Sequence, residues 1–280
     1  ILAMTVGAVD GASTAVDIQV SRDVALSNGS AIYTLTFGPG SGGDVQLTAD
    51  SLTMVNNAPL ILTATGGGGV GGDVVLNVRT VNLMGGASIQ SSNQNLTPGS
   101  GQGGNVIIQG LPGAEFGAAQ SVSLFDGSSL VSQTLGSDGG RVAITSKSLT
   151  MDQATVDAET HSAGSGGDIV VSVQQASLSG GATIATHTTR SGSDAAVGGT
   201  VTVQGLGEPM ADSVSLSGFD SGIVSETSGT ARSGDIAVQA KTVSLTDGAV
   251  IQTGITEAGG PAGNLTITAD SVDISGGSHI

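Results

Sequence analysis

The sequence contains no cysteine and no tryptophan, and its 280 residues include one tyrosine and four phenylalanines. Without cysteine the chain can form neither a disulfide framework nor a thiolate metal site. A compact globular core of this size normally uses large aromatic rings to fill its volume, so their scarcity argues against one. The lack of cysteine suits the cytosol, and it equally suits an exported protein that must cross a pore unfolded.

Positive charge is also scarce, because seven lysines and arginines face 23 aspartates and glutamates, which gives a net charge of −16. We therefore expect no nucleic-acid partner and no binding to anionic membrane surfaces. No apolar run approaches the ~18 residues of a membrane-spanning helix, so we expect no membrane insertion. The apolar opening ILAMTVGAV lacks a basic leader, and we interpret the chain as a segment of a longer repeat protein.

Glycine is abundant, with 47 residues, and it is accompanied by valine, isoleucine, leucine and alanine. The phrase Gly-Ser-Gly-Gly-Asp occurs at residues 40–44 and again at 164–168, and looser versions recur elsewhere. The second glycine of the phrase marks one corner of a repeating unit whose average period is about 31 residues. We assign this structural-corner role to Gly43, Gly72, Gly104, Gly140, Gly167, Gly199, Gly234 and Gly263.

Each repeat predicts three short strands. After the corner glycine comes one polar residue and then alternating apolar residues such as Val45 and Leu47, which is the period of a strand. Five residues after the second apolar position a similar pair begins, as at Leu52 and Met54. A turn such as LSNGSAI or LTDGAVI then leads into the third strand, and its Asn-Gly or Asp-Gly pair supplies the positive φ of a sharp reversal.

Strands of this kind cannot bury their apolar faces alone, but coils stacked in register share one continuous aliphatic core. We therefore predict an all-β fold, a parallel β-helix or β-solenoid of about nine coils of roughly 31 residues, with three short strands per coil. At a spacing of ~4.8 Å between strands, nine coils form a rod roughly 43 Å long. A β-sandwich would not keep the same five-residue spacing through six repeats, so we treat residues 1–280 as a single β-helix segment.

Two coils carry an inserted loop at the same corner, at residues 109–121 and 204–213, and both loops open on Gln-Gly-Leu. Equivalent glycines such as Gly72 and Gly167 are 95 residues apart, so a three-coil repeat is superimposed on the single coil. Loops at one corner leave the stack intact and can carry recognition, although they can equally be decoration or lateral bracing. The possible interaction residues are Leu111, Glu115, Phe116, Leu206, Glu208 and Met210.

The phrases at residues 42–65, 231–254 and 263–280, the last of which reads GNLTITADSVDISGGSHI, resemble the repeat region of filamentous-haemagglutinin-like exoproteins. These proteins belong to two-partner secretion systems, and the resemblance runs from about Ala15 to Ile280. It implies a right-handed parallel β-helix that an outer-membrane β-barrel transporter exports to the bacterial cell surface or the medium. There the chain would act as an adhesin or filament, binding a glycan or protein of a host, a neighbouring cell or the matrix, or associating with itself.

The residue after each corner glycine is polar, and stacking places these residues in a row. Only Asp44 and Asp73 are acidic neighbours, which makes them weak candidates for binding calcium. We expect Arg141 to form an ion pair with Asp168 in the next coil. The tandem Gly-Gly-x-Gly-x-Asp pattern of calcium-binding β-helices is absent, and we expect no other cofactor.

A polysaccharide-degrading β-helix enzyme is an alternative function, and it needs several carboxylates on one face. Asp157 and Glu159 alternate along one strand, where we interpret them as a solvated face. The other acidic candidates are Asp152, Asp220 and Glu226, and the three histidines are His161, His187 and His279, which lack the spacing of metal ligands. We therefore expect a non-catalytic shaft of a surface adhesin or extracellular filament. A self-assembling fibre subunit is a further alternative.

Overall fold

In a computed structural model the chain forms two parallel β-sheets, which confirms the predicted all-β parallel β-helix. The structure describes residues 1–6, 16–97, 101–161, 164–189, 197–228, 231–255 and 260–280. One sheet has nine strands and the other has 13, and the chain makes about eight turns. Over these ranges the only helical segment is the 3₁₀ turn Glu115–Gly117, and no helix is long and apolar enough to cross a membrane.

The strands follow one another in a regular order along the described chain. They are β1 (Leu2–Thr5), β2 (Val16–Gln19), β3 (Asp23–Ser27), β4 (Ala31–Thr36), β5 (Val45–Val55), β6 (Leu60–Thr65), β7 (Val74–Leu83), β8 (Ser88–Asn93), β9 (Val106–Gln109), β10 (Ala119–Phe125), β11 (Ser129–Thr134), β12 (Val142–Asp152), β13 (Thr155–Thr160), β14 (Ile169–Ser179), β15 (Thr183–Thr189), β16 (Val201–Gly205), β17 (Ala211–Ser217), β18 (Gly222–Ser228), β19 (Ile236–Thr246), β20 (Val250–Ile255), β21 (Leu265–Thr268) and β22 (Ser271–Ile274). Sheet A consists of β1, β4, β6, β8, β11, β13, β15, β18 and β20, and the remaining strands form sheet B.

Equivalent inward residues of successive coils lie directly on one another. In sheet A, Ile32 is aligned with Ile61 and Ile61 with Ile89, and none of the three is more than 1% exposed. The same row continues through Leu130, Val156, Ile184, Ile223 and Ile251. Sheet B contributes matching rows of valine, leucine and isoleucine, so one aliphatic core runs along the rod. Burial of these side chains is the main stabilising term of such a stack.

Sheet B differs in one respect from the three separate strands predicted for each coil. At five levels the first two predicted strands form a single strand of ten or eleven residues, as in β5 and β7. The corner between them is a single residue such as Asp50, whose N–H still donates to the Arg22 carbonyl at 2.6 Å. Because the backbone stays hydrogen-bonded to the neighbouring coil through the bend, the two strands merge.

The opening residues form a strand that the repeat pattern of the sequence does not predict. β1 pairs in parallel with β4, and Ala3 is aligned with the inward Thr34. Leu2 and Met4 point outward and are 59% and 54% exposed. Four residues are too few to display a repeat, so the strand is recognisable only from the coil that follows it.

Glycine is required at the repeated corner because adjacent coils approach closely there. A Cβ atom added at Gly167 would lie 2.2 Å from the carbonyl oxygen of Gly140 in the preceding coil. A Cβ added at Gly166 would lie 2.1 Å from the backbone nitrogen of Gly199 in the following coil. The first contact recurs at Gly72, Gly104, Gly140, Gly199, Gly234 and Gly263, at 1.8–2.1 Å. None of these corner glycines has a positive φ, so the Gly-Gly pair supplies space rather than an unusual backbone angle.

A row of buried hydroxyl groups in sheet A satisfies the carbonyls of the glycine corner. Thr63 and Ser91 both donate to the carbonyl oxygen of Gly72 at 2.7 Å, and Thr186 donates to that of Gly199 at 2.8 Å. The same contact is made by Thr34, Ser132, Ser225 and Thr253. Small polar residues therefore occupy core positions because the corner carbonyls, turned inward, need donors.

Two residues further along the same strands lies a second buried row, in which Thr65, Asn93 and Thr160 bond to nearby backbone but four threonines have no partner. The hydroxyl oxygens of Thr36, Thr134, Thr188 and Thr227 are buried and accept or donate no hydrogen bond. The Thr188 oxygen lies 2.5 Å from the place where a Cβ of Gly166 would be, so it packs against the glycine backbone. The two rows consequently contribute differently to stability, although both consist mainly of threonine and serine.

Replacing Gly167 with alanine should lower the free energy of unfolding by about 3 kcal/mol, because the new methyl group meets backbone that cannot move without separating two coils. Gly254→Ala is the control, since nothing lies within 4 Å of its added Cβ. It should raise stability by roughly 0.5 kcal/mol through a less flexible unfolded chain. Urea unfolding followed by circular dichroism measures both changes. Similar losses in the two variants would contradict the close-approach explanation.

Thr186→Val and Thr188→Val form a matched pair on one strand. Thr186→Val should cost about 0.5–1.5 kcal/mol, because Gly199 loses one hydrogen bond and keeps only the one from Ser225. Thr188→Val should be neutral or slightly stabilising, because a buried hydroxyl without a partner is replaced by a methyl group of similar size. Urea midpoints at neutral pH compare the two, and the reverse order would refute the distinction between the rows.

Candidate functional site

The corner between the first two segments of sheet B carries both inserted loops, and we call it the loop edge. In coils without an insertion, a single polar residue forms this corner. These corner residues are Asp50, Arg79, Lys147, Gln174, Lys241 and Asp270. Loop 1 (residues 110–118) separates β9 from β10, and loop 2 (residues 206–210) separates β16 from β17. In strand register, Gln120 is level with the corner residue Lys147, and Asp212 is level with the corner residue Lys241. The residues that precede Gln120 and Asp212 in each loop are therefore the inserted ones.

The Gln-Gly-Leu opening shared by the loops has a structural cause at their necks. In loop 1 the N–H of Gly110 donates to the Gly117 carbonyl at 2.8 Å, and a Cβ at Gly110 would lie 2.3 Å from the Ala118 carbonyl oxygen. In loop 2 a Cβ at Gly205 would lie 2.3 Å from the Glu208 carbonyl oxygen. Glycine lets the outgoing and returning chain pass in contact, so each loop closes before sheet B resumes.

The two loops touch each other although three coils separate their origins. A Cβ added at Gly207 in loop 2 would lie 2.5 Å from the ring of Phe116 in loop 1. Between them, Glu115 forms an ion pair with Lys147 at 3.1 Å. Three coils span about 14 Å, so loop 1 extends along the rod and over the intervening coils. The sequence predicted a shared corner for these insertions, but nothing in it signalled that they meet.

The six possible interaction residues are not equally accessible. Phe116 is 57% exposed, Glu115 and Glu208 are also exposed, and Leu206 is only 6% exposed. Leu206 therefore anchors loop 2 to the rod. Leu111 and Met210 are intermediate, and each lines a concavity beside its loop.

Both concavities combine apolar loop residues with a cationic corner residue. The one beside loop 1 has a volume of about 260 Å³ and includes Arg79 with Leu111 and Pro112. The one beside loop 2 has about 350 Å³ and includes Lys241 with Met210. Both cations are paired, Arg79 with Asp50 at 2.7 Å and Lys241 with Asp212 at 2.6 Å. Hydrogen bonding to Asp212 raises the pKa of Lys241, so it stays charged at neutral pH.

The polar residues that follow the corner glycines act as hydrogen-bond acceptors for the next coil. Asp44 Oδ1 accepts the backbone N–H of Asp73 at 2.8 Å, and Asp73 Oδ1 accepts that of Asn105 at 2.7 Å. The same contact joins Arg141 to Asn105, Thr200 to Asp168 and Asn264 to Asp235, at 2.6–3.0 Å. The pattern explains the preference for aspartate and asparagine at these positions, because both side chains carry an oxygen that can accept the N–H.

One of these acceptors shows the electrostatic effect of the contact. The hydrogen bond from the Asn264 backbone lowers the pKa of Asp235, and Arg232 lowers it further. The expected ion pair between Arg141 and Asp168 is not formed, and both residues lie in the described part of the chain. As for the calcium candidates, Asp44 and Asp73 each use one oxygen on the next coil. Over the described ranges no three His, Asp or Glu side chains converge to hold a metal ion.

The outer face of sheet A carries a second polar cluster, which we call the imidazole cluster and which contains Asp157, Glu159, His161, His187 and Glu226. The sequence predicts a solvated face for Asp157 and Glu159, but the Asp157 side chain is only 9% exposed. His187 lies between Asp157 and Glu226, at 3.0 and 3.7 Å. His161 lies 3.0 Å from Glu159. The predicted solvated face is therefore wrong for Asp157, because His187 of the next coil covers it.

The other two acidic candidates do not join this cluster. Asp152 ends β12, and Asp220 lies with a positive φ of 63° in the turn before β18. Both belong to the corner between the sheets. The carboxylates that the coil stacking brings together are those of β13 and β18, with His187 between them.

Three of the four phenylalanines lie at corners on the surface, and each covers a glycine of a later coil. Phe37 lies beside Gly66, Phe116 beside Gly207 and Phe219 beside Gly248. Phe219 is 78% exposed. Covering an exposed glycine with an aromatic ring is a known means of stabilising a sheet edge.

No protein-family model, curated protein or solved structure matches this chain. The resemblance to filamentous-haemagglutinin-like repeats therefore depends on the repeat phrases and stays an expectation.

Phe116→Ala should increase backbone hydrogen exchange in both loop 1 and loop 2, because its ring is the contact that joins them. The unfolding midpoint should change little, since the ring lies outside the core. Phe219→Ala is the matched control, and it should leave exchange in both loops unaltered. Exchange that rises only in loop 1 would show that loop 2 does not depend on Phe116.

Proposed function

We propose that this chain is a stretch of the structural shaft of a secreted bacterial surface adhesin or extracellular filament, non-catalytic, with the loop edge as its attachment surface. The observation that carries the proposal is the in-register stack of coils around a single aliphatic core over the described residues. A stack of this kind is stiff, so it can hold a binding surface at a fixed distance from its base. The repeat phrases that resemble filamentous-haemagglutinin-like exoproteins support the same function.

The surface chemistry suits a rod that works at high local density. A net charge of −16 makes neighbouring rods repel, which limits nonspecific clumping. The apolar residues of the coils are turned inward along most of the stack, as the burial of the aliphatic rows indicates. The charged surface of the rod therefore discourages contact along its length. The few exposed apolar residues of the loops offer the surface through which attachment is favoured.

The loop edge supports the attachment role through its shape. The exposed Phe116 ring, the exposed Glu208 and two concavities of about 260 and 350 Å³ lie along one side of the rod. An aromatic ring beside polar and charged groups is the usual composition of a recognition surface for proteins and glycans. The ligand class we propose is a glycan or protein of a host cell, a neighbouring cell or the matrix.

Export through an outer-membrane β-barrel transporter is part of the proposal. The absence of cysteine supports it, because no disulfide can form before passage. The repetitive stack also supports it, since each coil contacts mainly its neighbours and can fold as soon as it emerges. Folding outside the cell would then oppose backward movement of the chain.

A deletion of residues 110–118 and 205–210 tests the attachment role with little disturbance of the stack. Register indicates that it restores one-residue corners at Gln120 and Asp212. Beads coated with the chain should adhere to epithelial cells or immobilised glycans, and the deletion should reduce adhesion at least about tenfold, the effect of removing a few central contact residues. Phe219→Ala is the control for an exposed ring at another corner, and it should adhere normally.

Three outcomes would overturn parts of the proposal. Undiminished adhesion of the deletion variant with intact circular dichroism would remove the loop edge as the attachment surface. Long fibres of the purified chain in electron microscopy would favour the self-assembling subunit. Turnover of acidic polysaccharides that Asp157→Asn and Glu159→Gln abolish would replace the shaft by an enzyme.

A further inference from the structure

His187 occupies a position between two carboxylates that belong to different coils. Its Nδ1 atom lies 3.1 and 3.0 Å from the two oxygens of Asp157 on β13. Its Nε2 atom lies 3.7 Å from a carboxylate oxygen of Glu226 on β18. His187 itself is on β15, so this one ring connects three adjacent strands of sheet A.

While both carboxylates are ionised, only one protonation state of the ring satisfies both sides. A neutral imidazole has one N–H, so the nitrogen that lacks the proton must present a lone pair to a carboxylate. The charged imidazolium has two N–H groups. Its Nδ1–H donates to Asp157 while its Nε2–H faces the Glu226 carboxylate. The geometry therefore matches the protonated ring and is mismatched to the neutral one.

The contact between His187 and Asp157 matters more for stability than the one with Glu226, because Asp157 is buried. The Asp157 side chain is 9% exposed, whereas those of His187 and Glu226 are 40% and 28% exposed. A buried carboxylate that loses its cation is more costly than an exposed one. The other titratable groups that face this ring are Glu159, which is aligned with His187, and His161, which contacts Glu159. On the far side, β20 presents the uncharged Gln252 to Glu226 at 3.4 Å.

We propose that His187 is a proton-operated clamp that holds three successive coils together when both ring nitrogens carry a proton and weakens when one proton is lost. The clamp is independent of the attachment role, because it lies on sheet A and the loops lie on sheet B. It makes the middle of the rod sensitive to the acidity of its surroundings.

The direction of the effect follows from the neighbours. The hydrogen bond with Asp157 raises the pKa of His187, burial opposes this, and the charges of Asp157, Glu226 and Glu159 raise it further. A raised histidine pKa gives stability that is complete below the unfolded value of 6.5 and is lost as the pH rises through the folded value.

The two carboxylates of β13 have opposite effects on the pH dependence. Burial raises the pKa of Asp157, so the fold favours its protonated form and this residue acts in the same direction as His187. Burial alone would raise the pKa of Glu159, but bonds from His161 and Gln133 lower it on balance. Its contribution is therefore lost as the pH falls below about 4.5, whereas the contribution of His187 is complete below 6.5 and is lost as the pH rises above it.

Hydrogen exchange with mass spectrometry on the whole chain tests the clamp. The quantity compared is the opening equilibrium of the backbone amides in β13, β15 and β18, after correction for the pH dependence of intrinsic exchange. At pH about 8 it should be about two- to fivefold greater than at pH about 5.5, which is the effect of losing one ion pair. β5 and β7 serve as reference strands in the same sample. His187→Gln should reduce the ratio to that of the reference strands, and His279→Gln, at an exposed histidine of the last coil, should leave it unchanged.

Glu226→Gln provides a second test that does not alter the buried side of the contact. It removes one carboxylate from the ring and should reduce the pH ratio without abolishing it. A wild-type ratio in His187→Gln, or the same ratio in β13 and in the reference strands, would overturn the proposal. The adhesion experiment does not measure this quantity, so the clamp and the attachment role can fail separately.

Discussion

Successive coils touch backbone to backbone at the glycine corner, and the rest of the structure depends on that contact. Carbonyl oxygens of one coil occupy the space that a Cβ in the next would need, so only glycine fits at Gly72 or Gly167. This closeness holds the strands at ladder distance and brings each inward residue over its equivalent. It also places the corner carbonyls where the hydroxyls of Thr63 and Thr186 can reach them. The aliphatic core then forms as a consequence of register.

Polar groups divide into those that the stack needs and those that it tolerates. The first hydroxyl row and the Asp or Asn acceptors each pair with backbone groups of a corner. In the second row four threonine hydroxyls have no hydrogen-bond partner, and those of Thr188 and Thr227 pack against Gly166 and Gly198. A threonine at these positions keeps the branched shape that suits a strand, which is sufficient reason for its presence. Similar residues in adjacent rows therefore have different energetic roles.

The features that repeat were predictable from the sequence, and those that occur once were not. The parallel β-helix follows from the period and from alternation such as Val45 and Leu47, because stacking repeats the same environment. The contact between His187 and Asp157 was missed because it depends on register between neighbouring coils, in which Asp157 is level with Ala185. The contact between Phe116 and Gly207 depends on how far a loop extends along the rod, and no local pattern encodes that distance.

The acceptors after the corner glycines give the rod a polarity. Asp44 receives an N–H from the coil that follows it, and so does Asp235 near the other end. Each of these side chains thus accepts from the side on which later residues lie. Growth from the amino-terminal end therefore meets an acceptor already in place wherever the residue after the corner glycine is aspartate or asparagine, whereas growth in the reverse sense meets donors whose acceptor side chains still belong to unordered chain. These corners therefore favour ordering of the coils from the amino-terminal end.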